Sequence, residues 1–219
     1  METQTTKLTG AQAVVQSLIK EGVDTIFGYP GGAIMPVYDA LYDYRSDLNH
    51  ILVRHEQGAT HAAQGYARAS GKIGVCIATS GPGATNLVTG VAQAKAAFSP
   101  VVAIAGSYST KDKMEDAFQG LDQQSLFTPI TKKTWTVKNS KIIPDVMSDA
   151  FSLAMKPRRG PVCVNLPRNI LAATNDYNIN TNKTSFTNES TIRGKNENIK
   201  KAAKIINQSK QFVIIAGGG

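Results

Sequence analysis

The chain has 219 residues, of which 24 are Lys or Arg and 16 are Asp or Glu, giving a net charge of +8 at pH 7. The basic residues are scattered and form none of the usual nucleic-acid motifs, so we predict anionic ligands or partners and no nucleic-acid partner. No apolar run approaches bilayer length and no signal-like pattern precedes the first helix, so we expect a cytoplasmic protein with no membrane partner.

Along the first 171 residues, short continuous apolar runs alternate with segments whose apolar residues recur at helical spacing. The predicted helices cover 8–20, 34–44, 57–70, 84–97 and 142–155. The predicted strands cover 24–28, 51–54, 73–78, 100–105, 134–137 and 161–166. Such an alternation is typical of an α/β fold, a doubly wound parallel sheet covered by helices on both faces. Cys76 and Cys163 each lie inside an apolar strand, which indicates two buried free thiols and no disulfide.

The composition changes after residue 171. Residues 172–192 are rich in Asn and Thr and are predicted as a linker. Residues 193–219 contain one amphipathic helix pattern and then an apolar strand from Gln211 that ends in three glycines. One helix and one strand cannot bury a core alone. We therefore expect a first domain over 1–171, followed by the truncated start of a second α/β domain, within the front part of a longer protein.

Three strand-to-turn junctions make the most specific pattern. Glu56 follows the second strand and opens the third helix, and glycine-rich turns lie at 28–32 and 81–83. In open α/β sheets, ligands bind at the carboxyl ends of strands, so these junctions predict one binding edge. A carboxylate beside two glycine turns suits a nitrogen heterocycle. The alternative is that Glu56 only stabilises a helix N-terminus.

Other interpretations of these motifs fit less well. His55 and His61 are six residues apart, whereas a zinc-protease helix needs four. Gly81 and Gly83 begin a dinucleotide-like pattern, but Asn86 replaces its third glycine. We therefore predict no metal site and no dinucleotide site from these residues.

With all motifs taken together, the chain resembles the N-terminal, pyrimidine-binding domain of thiamine-diphosphate enzymes, and among them the catalytic subunits of acetolactate synthases (acetohydroxyacid synthases). The resemblance extends over residues 7–171, in the expected order and spacing. The segments that carry it are Phe27–Leu41, Arg54–Ala59, Gly65–Lys72, Thr79–Asn86, Asp116–Gln119 and Gly160–Val162. The resemblance implies the same doubly wound domain.

The resemblance also implies residue roles. Glu56 would hydrogen-bond N1′ of the cofactor's aminopyrimidine and favour the imino tautomer that takes a proton from the thiazolium ring. Gln119 would act near the reacting groups as a second catalytic residue. The implied cofactor-binding residues are Tyr29, Gly31, Gly32, Glu56, Pro82, Asn86 and, for FAD, Arg158. Phe118 and Lys132 would line the substrate channel.

The implied activity is decarboxylation of pyruvate and condensation with a second 2-oxo acid, in branched-chain amino acid biosynthesis. The implied cofactors are thiamine diphosphate, Mg²⁺ with its ligands in a later domain, and FAD. The implied assembly is a homodimer with a shared active site, with a regulatory subunit as a further partner. The 219 residues alone are expected to be incomplete for catalysis.

The chain departs from the acetolactate synthase pattern in a few segments. These are Gln93–Phe98, Ala105–Ser107, Lys113–Glu115 and Gly120. They fall where the family shapes its substrate channel and part of its flavin site, and leave the Glu56 motif unchanged. Two alternatives therefore stay open: a related thiamine-diphosphate lyase or acyltransferase with another substrate, or an inactive truncated fragment.

Overall fold

The computed structural model describes residues 5–178 and 194–215. The described residues fall into two units, one in each of these ranges. The first unit contains two sheets and seven α-helices, and the second contains a single α-helix.

The larger sheet has six parallel strands, all of which the apolar runs predict. Its strands and those of the smaller sheet are β1 Thr6–Thr9, β2 Thr25–Gly28, β3 Asn49–Leu52, β4 Gly74–Ala78, β5 Val101–Ser107, β6 Thr134–Thr136, β7 Val162–Pro167 and β8 Thr174–Tyr177. The order across the large sheet is β3-β2-β4-β5-β7-β6, and every pairing is parallel. All residues of β4, β5 and β7 are buried, as expected for central strands covered on both faces.

Helices cover both faces of this sheet. They are α1 Gly10–Lys20, α2 Met35–Asp43, α3 Glu56–Ser70, α4 Pro82–Ala96, α5 Gln123–Phe127, α6 Ile143–Met155 and α7 Arg168–Ala172. The first helix packs with α2, α6 and α7, whereas α3 packs with α4, and α4 with α5. The predicted doubly wound architecture is confirmed.

Glycines bring the α3 layer close to the sheet. A Cβ on Gly74 would overlap the backbone carbonyl of Ala63, so β4 approaches the helix backbone directly. Within the layer, a Cβ on Gly90 of α4 would lie 2.5 Å from Thr60 Cβ of α3. This close packing fixes the position of α3, and with it the position of the residue that begins the helix.

The smaller sheet was not expected from the sequence. Leu8 was predicted as helical, but it lies in β1, and α1 begins only at Gly10, behind a capping box of Thr9 and Gln12. Strand β1 pairs antiparallel with β8. The predicted linker begins at residue 172, but Ala172 is the last residue of α7 and Thr174–Tyr177 form β8. These polar residues form a strand because they pair with β1, which their composition alone does not indicate. The linker residues 179–192 lie outside the described residues.

The second unit contains the predicted amphipathic helix, α8 Asn196–Gln208. The strand predicted from Gln211 is wrong for the described residues 211–215, which form no strand. A strand needs a ladder partner, and the second unit offers none among its described residues. The glycines 217–219 lie outside the described residues. Within the described ranges, no helix is both long and apolar enough to cross a bilayer.

Candidate active site

The chain changes direction across the sheet between β2 and β4. The strand β2 leads into α2 on one face, while its neighbour β4 leads into α4 on the other. A crevice opens at such a switch point, outside the carboxyl ends of the two strands, and α/β proteins bind ligands there. The three junctions singled out in the sequence meet around this crevice.

Glu56 is the first residue of α3 and is only 9% exposed. The helix begins at this residue because His55 is extended and its Nδ1 accepts a hydrogen bond from the Gln57 backbone N–H, at 3.1 Å. The helix N-terminus stabilises a carboxylate at this position. Asn86 Nδ2 donates to Glu56 Oε2 at 2.9 Å, which fixes the carboxylate group. The structure therefore brings together two of the predicted site residues.

The other carboxylate oxygen faces a glycine. A Cβ on Gly83 would lie 3.3 Å from Glu56 Oε1 and 2.7 Å from Thr79 Cγ2. A Cβ on Gly31 would lie 2.5 Å from Thr79 Cβ. Both positions require glycine, because any side chain would displace Thr79 or the carboxylate. Gly32, in contrast, has nothing within 4 Å of a built Cβ and faces open space.

Thr79 is the residue that the sequence analysis missed. It follows β4 directly, and its Oγ1 accepts a hydrogen bond from the Ala33 backbone N–H at 3.2 Å. It also contacts the positions of Gly31 and Gly83. Thr79 therefore joins the two glycine turns. The sequence does contain a signal for Thr79, because this residue opens the Thr-Ser-Gly-Pro-Gly motif.

Gln119 lies against the second turn. Ser80 Oγ donates to Gln119 Oε1 at 3.3 Å, and a Cβ on Gly81 would lie 2.7 Å from Gln119 Cβ. Both Gly81 and Gln119 have positive φ, 58° and 57°, which is uncommon for a residue with a side chain. Phe118, the preceding residue, is 88% exposed. The loop thus holds Gln119 at the turn and points Phe118 to solvent.

The remaining predicted residues of this edge line its outer part. Tyr29 follows β2 and is partly exposed, and Pro82 is an exposed residue in the first turn of α4. Behind the crevice, burial and then the charge of Glu56 raise the pKa of Tyr38, so this phenol stays neutral. The arrangement offers one buried carboxylate with a fixed orientation, and the first glycine turn has open space at Gly32. This is the geometry that a nitrogen heterocycle needs.

Comparison with known proteins agrees with this geometry. Residues 8–126, more than half of the chain, match the family model described as "Thiamine pyrophosphate enzyme, N-terminal TPP binding domain". The chain belongs to this family. The matched range contains the whole crevice, from the residues before β2 to the loop that carries Gln119. The resemblance inferred from the motifs is therefore confirmed.

Within this family, the chain is similar to acetolactate synthase large subunits. The chain is 50% identical over 217 residues to the "Probable acetolactate synthase large subunit" of Methanocaldococcus jannaschii, covering 96% of this chain and 36% of that protein. It is 47% identical to the "Acetolactate synthase isozyme 2 large subunit" of Escherichia coli, covering 97% and 38%. It is 44% identical to the "Acetolactate synthase large subunit" of Corynebacterium glutamicum, covering 97% and 34%. The chain thus spans little more than a third of the length of these relatives.

Two of the predicted site residues lie elsewhere. The Lys132 backbone N–H donates to Pro161 O at 2.8 Å, at the amino end of β7, which is the edge opposite Glu56. Its Nζ donates to the carbonyls of Leu153 and Lys156, at 2.6 and 3.0 Å, and caps the end of α6. Arg158 lies in the loop between α6 and β7 and has a φ of 54°. The structure brings neither residue to the Glu56 crevice.

No group of three or more His, Cys, Asp or Glu residues among the described residues is arranged to hold a metal ion. The two cysteines are free and buried, as predicted. Burial raises the pKa of Cys76 to about 12 and that of Cys163 well above its ordinary value, so neither is a thiolate ligand at neutral pH.

Proposed function

We propose that this chain is the N-terminal, pyrimidine-binding part of the catalytic subunit of a thiamine-diphosphate-dependent acetolactate synthase. The full-length protein decarboxylates pyruvate and condenses the product with a second 2-oxo acid, in branched-chain amino acid biosynthesis. The observation that carries the proposal is the buried Glu56 carboxylate, fixed by Asn86 beside Gly31 and Gly83. The names of the relatives support the choice of substrate.

Each residue of the crevice has a role in this proposal. Glu56 would hold the ring nitrogen N1′ of the aminopyrimidine through a hydrogen bond, and Asn86 fixes the orientation of the carboxylate. Gly31 and Gly83 make room for Thr79, which keeps their two turns together, and Gly32 leaves open space beside the first turn. Gln119, held by Ser80, presents its amide to the reacting groups. Thiamine diphosphate, when bound, supplies the electron sink for decarboxylation, and the protein supplies orientation.

The proposal extends to features outside this chain. We propose Mg²⁺ bound by a later domain, a homodimer with a shared active site, a regulatory subunit and a cytoplasmic location. FAD is also proposed, with Arg158 as a contact. Because Arg158 lies at the amino edge of the sheet, this contact would be separate from the aminopyrimidine site.

The test uses the full-length protein supplied with thiamine diphosphate, Mg²⁺ and pyruvate, with and without FAD. Acetolactate formation is measured for the parent, for Glu56→Gln and for the control Glu197→Gln. Glu197 lies in α8 of the second unit and is exposed. We expect Glu56→Gln to lower turnover by about 100-fold or more, and Glu197→Gln to leave it unchanged. Equal turnover of all three proteins would remove Glu56 from the mechanism.

A second candidate is a related thiamine-diphosphate enzyme that acts on another 2-oxo acid or an aldehyde. It is favoured by Gly120, where the acetolactate synthase pattern has Glu. A Cβ on Gly120 would overlap the carbonyl oxygen of Met114, so the loop that carries Gln119 takes a path closed to any side chain here. If the full-length protein decarboxylates other substrates but forms no acetolactate, this candidate replaces the first. The inactive fragment is the conclusion if no substrate is decarboxylated and no cofactor binds.

A further inference from the structure

Two buried polar atoms lie next to each other below the first glycine turn, residues 28–32. They are the hydroxyl oxygen Oη of Tyr38, on α2, and the ring nitrogen Nε2 of His50, on β3. Neither atom has a hydrogen-bond partner among the described residues. The two rings meet edge to face, with centroids 5.0 Å apart and an interplanar angle of 86°. A buried polar atom without a partner costs stability, so packing of the fold alone does not account for this pair.

Both atoms lie against Gly28, the last residue of β2 and the first residue of the turn. A Cβ on Gly28 would overlap Tyr38 Oη and would lie 3.3 Å from His50 Nε2. Because Gly28 has no side chain, the two atoms can approach the same point. The pair therefore supports the strand end from which the turn begins.

The two atoms are chemically complementary. Burial lowers the pKa of His50, and the interaction of its ring with the Gly28 backbone only partly offsets this, so the imidazole is neutral near neutral pH. Burial and then the charge of Glu56 raise the pKa of Tyr38, which keeps its proton. A nitrogen of a neutral imidazole donates or accepts according to the tautomer, and a tyrosine hydroxyl can do both. A small shift is therefore enough to join the two atoms in one hydrogen bond.

The pair also connects the segments that form the crevice. Tyr38 lies on the helix that follows the first glycine turn, and His50 lies on the strand that leads to Glu56. Between them the turn is held weakly, because the Tyr29 backbone N–H donates to Ile77 O at 3.3 Å, which is long for such a bond. A ligand that settles on the turn can therefore move the turn and the pair together.

We propose that Tyr38 and His50 are positioning residues of the aminopyrimidine site, and that they form a hydrogen bond between Oη and Nε2 when a ligand settles the first glycine turn. The bond closes below the turn and holds it at the crevice. Part of the affinity for the ligand then comes from pairing two atoms that are unpaired without it. The inference rests on the proposed function, because thiamine diphosphate is the ligand that this crevice would take. Both residues act through the turn.

The test compares affinity with stability in the full-length protein. Affinity for thiamine diphosphate with Mg²⁺ is measured by titration calorimetry, and the melting temperature is measured without ligand. Tyr38→Phe removes only the hydroxyl group. We expect its dissociation constant to rise about fivefold, because the bond that forms on binding is lost, whereas its melting temperature should not fall, because the lost hydroxyl was unpaired. The control Tyr42→Phe makes the same change at an exposed position on the same helix and should alter neither quantity.

His50→Phe tests the other half of the pair. It keeps a ring but removes Nε2, and should also weaken binding about fivefold. The double variant Tyr38→Phe/His50→Phe should bind no more weakly than either single variant, because all three lose the same bond. Additive losses would mean that the side chains act separately and would contradict the bond. If His50→Phe does not fold, the comparison of Tyr38→Phe with Tyr42→Phe still decides.

The outcomes separate this inference from the function on which it rests. If the parent protein binds thiamine diphosphate and Tyr38→Phe binds it equally well, only the role of the pair is refuted. A weaker affinity accompanied by a lower melting temperature without ligand also overturns the role, because the bond would then exist before binding. If the parent protein does not bind thiamine diphosphate at all, the proposed function fails and this inference fails with it.

Discussion

Two charged side chains at opposite edges of the parallel sheet, Glu56 and Lys132, have different surroundings. At the carboxyl edge, Glu56 is held through one oxygen by Asn86, and its other oxygen faces the position of Gly83. At the amino edge, Lys132 donates to two carbonyls at the end of α6, and burial and the charge of Lys156 lower its pKa. One charge is oriented towards a site, and the other completes a helix.

This difference shows that a charged residue cannot be assigned by its type or by a local motif alone. Lys132 and Glu56 both fit the family pattern, but they lie at opposite edges of the sheet, and only Glu56 lies in the crevice. Parallel strands place all their carboxyl ends on one side, so the edge follows from the topology. Substitutions at the carboxyl edge are therefore expected to change ligand binding, whereas those at the amino edge are expected to change only stability.

The largest effect on stability is expected at the amino end of β4. In Gly74→Ala, the new methyl group would overlap the backbone of Ala63 in α3, and neither backbone can move without separating helix and strand. We expect a loss of about 3 kcal/mol in the free energy of unfolding, measured by urea denaturation. The control Gly65→Ala, on α3 with nothing within 4 Å, should gain about 0.5–1 kcal/mol. Equal stabilities would show that α3 is not packed as closely as described.

The next effect is expected just beyond the other end of the same strand. In Gly83→Ala, the methyl group would lie 2.7 Å from Thr79 Cγ2, which must shift, and 3.3 Å from Glu56 Oε1, where it crowds the oxygen that faces Gly83. We expect a stability loss of only about 1–2 kcal/mol. The affinity of the full-length protein for thiamine diphosphate should fall at least about tenfold, measured by titration calorimetry, because a charge-assisted hydrogen bond is lost. Gly58→Ala, an open position on α3, is the control. Unchanged affinity in Gly83→Ala would remove this glycine from the site.

Much of the fold could be predicted from periodicity. All six strands of the parallel sheet were found. Strands β4, β5 and β7 are buried, continuous apolar runs, and the more exposed β2, β3 and β6 still contain large apolar residues. The pair β1 and β8 was missed because both segments are mostly polar and form no apolar run. Both are short and largely exposed, and their pairing joins residues near the two ends of the domain. Such a contact depends on the finished fold rather than on any local pattern.

The site was only partly predictable. Glu56 and the glycines could be found because a carboxylate and glycine turns after strands are local signals. Thr79 was missed because its role depends on three segments meeting. The contact of Gln119 with Gly81 could not be predicted, because it depends on the path of a polar loop whose sequence has no periodicity. Lys132 and Arg158 were predicted from the family pattern alone, and that pattern does not specify at which edge of the sheet a residue lies.

The amino edge supplies a milder test in Lys132→Met. The substitution keeps the length of the side chain but removes two hydrogen bonds to the end of α6. We expect a stability loss of about 1 kcal/mol and no change in the KM for pyruvate of the full-length protein. Stability is measured by urea denaturation and KM by steady-state kinetics. A raised KM with unchanged stability would instead support the substrate-channel role that the sequence predicted.

The smallest effect is expected for an ion pair at the amino edge, between Lys72, which precedes β4, and Asp24, which precedes β2. Burial raises the pKa of Asp24, but hydrogen bonds from Lys72, Tyr66 and Thr25 and the charge of Lys72 outweigh it, so the pKa is lowered overall. Both side chains are about half exposed, which limits the loss in Lys72→Met to about 0.5 kcal/mol near neutral pH.

The sign of the pH dependence follows from that lowered pKa. A carboxylate with a lowered folded pKa stabilises the fold above its unfolded pKa, about 3.9 for Asp, and loses this contribution as the pH falls through the folded value. The difference between the parent and Lys72→Met, measured by urea denaturation, should therefore shrink with acid and with added salt. Lys111→Met, at an exposed loop position, is the control. A difference that persists in strong acid would mean that Lys72 stabilises the sheet edge through packing of its aliphatic stem instead of its charge.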